Sequence, residues 1–63
     1  MRIDDQGSIV VLYSETEDES VWLTDNTNAE PWQFLGRGLA VDYRFAEDLI
    51  TGVINAGFEI KNA

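Results

Sequence analysis

Neither cysteine nor histidine occurs in these 63 residues, and there is a single proline. Only four residues are basic: Arg2, Arg37, Arg44 and Lys61. Without cysteine no disulfide can staple so small a domain, and without cysteine or histidine there is no zinc site of the usual kind. The absence of histidine also removes the commonest general base, so any catalysis would fall to carboxylates, hydroxyls or the four bases. None of Ser8, Ser14 and Ser20 has a base evident beside it. Two carboxylates acting as acid and base need a cleft deep enough to separate their pKa values, and a chain this short has little room for one. No enzymatic activity, cofactor or metal is expected.

Long apolar runs are also missing. Ile9–Tyr13 is too short for a signal-peptide core, and no stretch is long enough to span a bilayer, so a cytoplasmic location without membrane contact is expected. The shortage of bases leaves twelve acids against four, a net charge of −8. A field of that sign repels nucleic acid and anionic membranes and attracts basic protein surfaces. Direct binding of DNA or RNA, which is built from Lys and Arg, is not expected.

What is present is an ordinary globular composition, 44% hydrophobic and 25% charged. The length allows one domain, residues 1–63, burying only about 60% of the surface of its unfolded chain. Stability must come from well-packed apolar side chains or from a partner subunit, and a monomer or weak homodimer is expected.

Residues 1–7 show no pattern and are expected to be loosely ordered. Ser8–Tyr13 is a β-branched run, apolar on both alternating faces, which predicts a strand covered on both sides. Two registers of the S/T-x-x-E capping box then compete, Ser14 with Glu17 and Thr16 with Glu19. Thr16 leads better into Val21-Trp22-Leu23 and predicts a short helix over 17–26. Residues 25–31 form a polar connection ending in Pro31. Trp32–Leu35 and 39–43 read as strands around a Gly36-Arg37-Gly38 turn, a hairpin with Trp32 and Phe34 on one face. Phe45, Leu49, Val53 and Ala56, with Ala46, Ile50 and Ile54 beside them, predict an amphipathic helix over 44–56, with Glu47 and Asp48 in its first turn and Gly57 as its C′ residue. Phe58–Ile60 resumes alternation as a last short strand. The order is β-α-β-β-α-β, an α+β domain with two helices packed on a small sheet.

Two motif-like stretches yield to simpler accounts. Gly36-Arg37-Gly38 lacks the third glycine of a phosphate-binding loop and leads into a strand, so it reads as a turn. Asp25-Asn26-Thr27-Asn28 with Glu30 offers oxygen ligands, but the spacing fails the calcium-loop pattern at its third ligand and its glycine. Trp22 and Trp32 lack the basic surroundings of stacking platforms and read as core or interface anchors. Arg44 is placed to pair with Asp42, Glu47 or Asp48.

The acids are unevenly placed. Glu15, Glu17, Asp18 and Glu19, with Asp25 and Glu30, bracket the first helix; Asp42, Glu47 and Asp48 gather at the second. Carboxylates in a first helical turn stabilise it by about 0.3–1 kcal/mol each, but one or two suffice. Like charges three or four positions apart oppose one another by a few tenths of a kcal/mol. The surplus points to a surface that meets something positive, such as a Lys/Arg-lined groove that normally holds nucleic acid.

The segments T-E-D-E-S-V-W-L (16–23), W-x-F-x-G (32–36), G-L-A-V-D-Y-R-F-A-E-D-L-I-T-G (38–52) and G-F-E-I (57–60) resemble a group of short uncharacterised phage and prophage open reading frames. By size, acidity and lack of catalytic residues the chain is similar in kind to small phage-encoded anti-CRISPR proteins that act as DNA mimics. The resemblance implies a non-enzymatic inhibitor in an infected or lysogenic bacterium, its partner a basic, nucleic-acid-binding surface, with a CRISPR effector subunit favoured. The contact residues expected are Glu15, Glu17, Asp18, Glu19, Trp22, Asp25, Glu30, Glu47 and Asp48. The alternative is a small structural or accessory domain that self-associates through apolar surface, its acidity serving solubility.

Overall fold

A computed structural model of the chain describes residues 1–27, 29 and 33–62, for 35 and 62 the backbone alone. The elements are β1 (Arg2–Asp5), β2 (Ile9–Tyr13), α1 (Glu17–Asn26), β3 (Phe34–Leu35), β4 (Gly38–Asp42), α2 (Tyr43–Asn55) and β5 (Lys61–Asn62). They build one five-stranded sheet in the order β3-β4-β2-β1-β5. Neighbours are antiparallel except β5, which runs parallel to β1. The class is α+β, as expected, with one more strand than the sequence suggests.

That strand is the first correction. Residues 1–7, expected to be loosely ordered, contain β1, which pairs with β2 from Arg2↔Tyr13 to Asp5↔Val10. The hairpin closes through Gln6 N–H to the Ile9 carbonyl at 2.9 Å, and the Asp5 side chain accepts from Gly7 N–H at 2.9 Å. Arg-Ile-Asp-Asp has little strand propensity of its own; the ladder to an apolar β2 makes it a strand. Met1 is then drawn into the core at 1% exposure.

The second correction concerns β2. Alternation and register put Ile3, Val10, Leu12, Leu39 and Val41 on one face of the sheet. With Leu23 from α1 and Ala46 and Val53 from α2, most of that face forms the core. Both helices therefore lie on the same side, and the far face, with Arg2, Asp4, Ile9, Val11 and Tyr13, has none. Val11 is nevertheless buried. A Cβ on Gly38 would stand 2.8 Å from Tyr13 Cε1 and 2.9 Å from Val11 Cγ1, so the Tyr13 ring closes down beside Val11 where the neighbouring strand has no side chain. The Arg2 guanidinium covers the ring, 5.1 Å from its centroid.

The remaining elements differ from expectation by a few residues. β3 begins at Phe34; expectations for Asn28, Glu30, Pro31 and Trp32 lie outside the described residues. Tyr43, expected to end a strand, is instead the first residue of α2, because the Asp42 side chain accepts from Arg44 N–H at 2.9 Å and starts the helix there. Glu47 and Asp48 consequently lie in the second turn of α2, not the first. At the other end Gly57 takes a φ of +94°. Its N–H donates to the Ile54 carbonyl and Phe58 N–H to that of Val53, the Schellman arrangement that glycine permits. Phe58–Ile60, expected as a strand, leads instead to β5, where Lys61 N–H donates to the Met1 carbonyl at 2.9 Å.

Candidate functional site

The start of α1 decides how much of the acidic cluster stays outward. Thr16 is the N-cap, its Oγ1 accepting from Glu19 N–H at 3.2 Å, so of the two capping registers the second is used. The Glu19 carboxylate folds back into the protein. One oxygen accepts from Glu15 N–H at 2.6 Å and the other from the Met1 ammonium at 2.9 Å. That ammonium also donates to the Glu59 carbonyl at 2.8 Å. Burial alone pushes the Glu19 carboxyl up, but the Glu15 N–H, the ammonium and the Thr16 backbone outweigh it and hold it below the usual range. Glu19, 6% exposed, is thus an internal anchor and not an outward contact. Glu15 is half committed as well, lying 3.4 Å from the same ammonium and 3.6 Å from Lys61 Nζ.

Five further acids of the expected contact are exposed and, among the described residues, outside any ion pair. Glu17, Asp18 and Asp25 are exposed on α1. At 3.6 residues per turn they fall with Val21 in an arc of about 100° facing away from Leu23. Glu47 and Asp48 are exposed on α2 but point to opposite flanks: Glu47 stands with Asp5, Tyr43 and Ile50, and Asp48 with Trp22, Phe45 and Leu49. Among the described residues none of these five acids makes an ion pair. The bases are mostly occupied. Arg44 grips Asp42 through Nε and Nη2 at 3.1 and 3.2 Å, which holds the Asp42 carboxyl low and the guanidinium high. Lys61 is beside Glu15, and Arg2 lies over Tyr13 on the helix-free face.

Trp22 is half-buried and not a free anchor. Its ring lies on α2 where Gly52 has no side chain (a Cβ there would be 3.3 Å from Trp22 Cη2), with the Phe58 ring edge-on at 6.4 Å. Beside it runs a groove of about 840 Å³ between the two helices and the chain that follows α1; Trp22, Val41, Phe45, Leu49 and Gly52 give it an apolar stretch, and Asn26, Thr27, Gln33, Asp42 and Asp48 are among its polar walls. Phe45 is 66% exposed. The sequence places it at the head of the core stripe; the stripe that docks is instead Ala46, Leu49, Ile50 and Val53, one position round the helix. Both stripes are apolar, and small Ala46 is the one that fits against the sheet. Phe45 is thereby the functional candidate that periodicity conceals.

Among the described residues no group of carboxylates is placed to hold a metal ion, and no helix is long and apolar enough to cross a membrane. Fold and surface together define a small acidic α+β domain with a charged helical layer and a groove, part apolar and part acidic, beside Trp22. In comparison with known proteins the chain matches no family model, no curated protein and no solved structure.

Proposed function

We propose that the protein acts without catalysis, as an inhibitor that presents its helical layer to a basic, nucleic-acid-binding surface of a host complex and occupies it in place of DNA. The observation that carries this reading is the division of the acids. Glu15, Glu19 and Asp42 are tied to cationic groups of the chain itself, whereas Glu17, Asp18, Asp25, Glu47 and Asp48 remain exposed and unpaired. The three on α1 share one arc, and a rigid helix holds them at fixed spacing, so a facing row of Lys and Arg side chains gains attraction without ordering a flexible segment. Such contacts steer association and weaken as salt shortens the screening length, to about 10 Å at 0.1 M. Among possible targets a CRISPR surveillance complex of a phage-infected bacterium is favoured, on the resemblance in class alone.

The test is the variant Glu17→Gln/Asp18→Asn/Asp25→Asn/Glu47→Gln. A nucleic-acid-binding complex captured from host lysate at low salt and released at high salt is expected for the parent chain, with that complex's DNA binding inhibited. The variant should fold and lose both effects. Undiminished inhibition by the folded variant would refute charge mimicry.

A second reading, a self-associating accessory domain, draws on the exposed side chains of Tyr43, Phe45 and Ile54. Sedimentation equilibrium separates the two: a dimer that survives the charge substitutions, with no captured host complex, favours self-association.

A further inference from the structure

We infer that the groove between α1 and α2 receives an apolar side chain of the partner, flanked by Lys or Arg, so that recognition has an apolar anchor as well as a charged field. This rests on the reading of the protein as a binder of basic surfaces and says where on the helical layer such a partner is held.

Three features converge on the groove. Phe45 stands 66% exposed at its edge and takes no part in the core, although a phenyl ring gains from burial. Gly52 leaves the floor shallow enough for the Trp22 ring to lie flush on α2, and Val41 and Leu49 extend the apolar lining. At the wall, Asp48 is unpaired, and Asp42 is already neutralised by Arg44.

Charge selects the occupant. A second copy would bring a further net charge of −8 against the same wall. A segment with an apolar side chain between cationic ones meets apolar lining with apolar surface and Asp48 with opposite charge. Interface energy concentrates on a few side chains, aromatic ones prominent among them, that become fully desolvated near the centre of the contact.

The experiment uses the isotope-labelled 63-residue chain and three synthetic peptides: Lys-Lys-Leu-Trp-Lys-Lys, the same with Gly-Gly for Leu-Trp, and the same with Glu for every Lys. The first should shift the Gly52 amide and the Trp22 indole resonance. The glycine peptide should perturb only acid-bearing positions and dissociate at high salt. The acidic peptide should do neither. Phe45→Ala should weaken the first peptide about tenfold, a loss of the size interface aromatics show, and leave the second unchanged. Equal affinity for the first two peptides, an unmoved Gly52 amide, or a Phe45→Ala variant that binds as well as the parent would each overturn the inference. So would concentration-dependent Gly52 shifts without peptide, which would assign the groove to a second copy. Failure of charge mimicry looks different: the Leu-Trp peptide would still fill the groove while the four-site charge variant kept its inhibition.

Discussion

Helix α2 carries Ala46, Leu49, Ile50 and Val53 along one side and closes its ends locally, with Asp42 in front and the Gly57 turn behind. Helix α1 offers the core only Leu23 and part of Trp22, and its first turn holds three acids. It is secured from outside: Glu19 reaches the Met1 ammonium, which also donates to the Glu59 carbonyl just ahead of β5. Its last carbonyls are met by side chains, Asn26 Nδ2 to Trp22 O at 2.9 Å and Thr27 Oγ1 to Leu23 O at 2.6 Å. A ten-residue helix is marginal in isolation. The contrast teaches that α2 is specified by its own residues, whereas α1 exists where the rest of the fold holds it. Three of the five unpaired acids, Glu17, Asp18 and Asp25, accordingly sit on the less self-sufficient helix.

Loss of the single full apolar contact of α1 should break this arrangement most severely. Leu23→Ala, at a 1% exposed site, should cost about 2–5 kcal/mol. A domain of this length commands in total about 3–9 kcal/mol, so the urea midpoint should fall by about half. If α1 instead stays docked, with stability within 1 kcal/mol of the parent by about the same scale, then α1 is not dependent on that contact and the contrast collapses.

Next in size is the anchor. Glu19→Gln should cost about 1.5–3 kcal/mol, the range for hydrogen bonds to charged groups. Acetylating the amino terminus of the 63-residue chain should cost a similar amount, and the two changes together should cost less than their sum, because they remove one interaction. The pH dependence has a definite sign. The folded Glu19 carboxyl lies below its unfolded value, so its contribution is complete above the ordinary carboxylate range, about 4, and is lost as pH falls through the folded value. Acid titration of stability should therefore be steeper for the parent chain than for Glu19→Gln. Parallel acid limbs would show that the ion pair contributes nothing.

The cap is smaller. Thr16→Ala should cost about 1 kcal/mol, lowering the thermal midpoint by about 4–8 °C. Smallest of all, Phe45→Ala should change stability by no more than about 0.5 kcal/mol, as exposed substitutions do. A larger loss in thermal melts would mean that Phe45 serves the fold, and would remove the reason to assign it to a partner.

Local signals read correctly where neighbours in sequence decide the outcome. Residues 17–26 are a helix behind the Thr16 cap, 43–55 a helix to within one residue at each end of the reading, and Gly57 the C′ turn. Phe34 and Leu39 pair across a Gly36-Arg37 turn, as the hairpin reading requires. Illegible were the features set by distant groups. Arg2–Asp5 has no alternation of its own and becomes a strand only against Val10–Tyr13. Phe45 and Ala46 both belong to apolar stripes, and only the space above the sheet chooses between them. Glu15 to Glu19 look alike as a run of acids; which of them turns inward depends on a terminal ammonium that lies beside them only after β1 has paired.

By itself, then, the order of residues determined the α+β class, the helix limits and the net charge of −8, because caps, turns and periodicity act over a few residues and charge simply sums. Tertiary structure alone decided which acids remain exposed and unpaired among the described residues, which apolar ring is left over and where the groove opens. Those are questions of which surface is still uncovered once the sheet has closed, and residues far apart in the chain settle them.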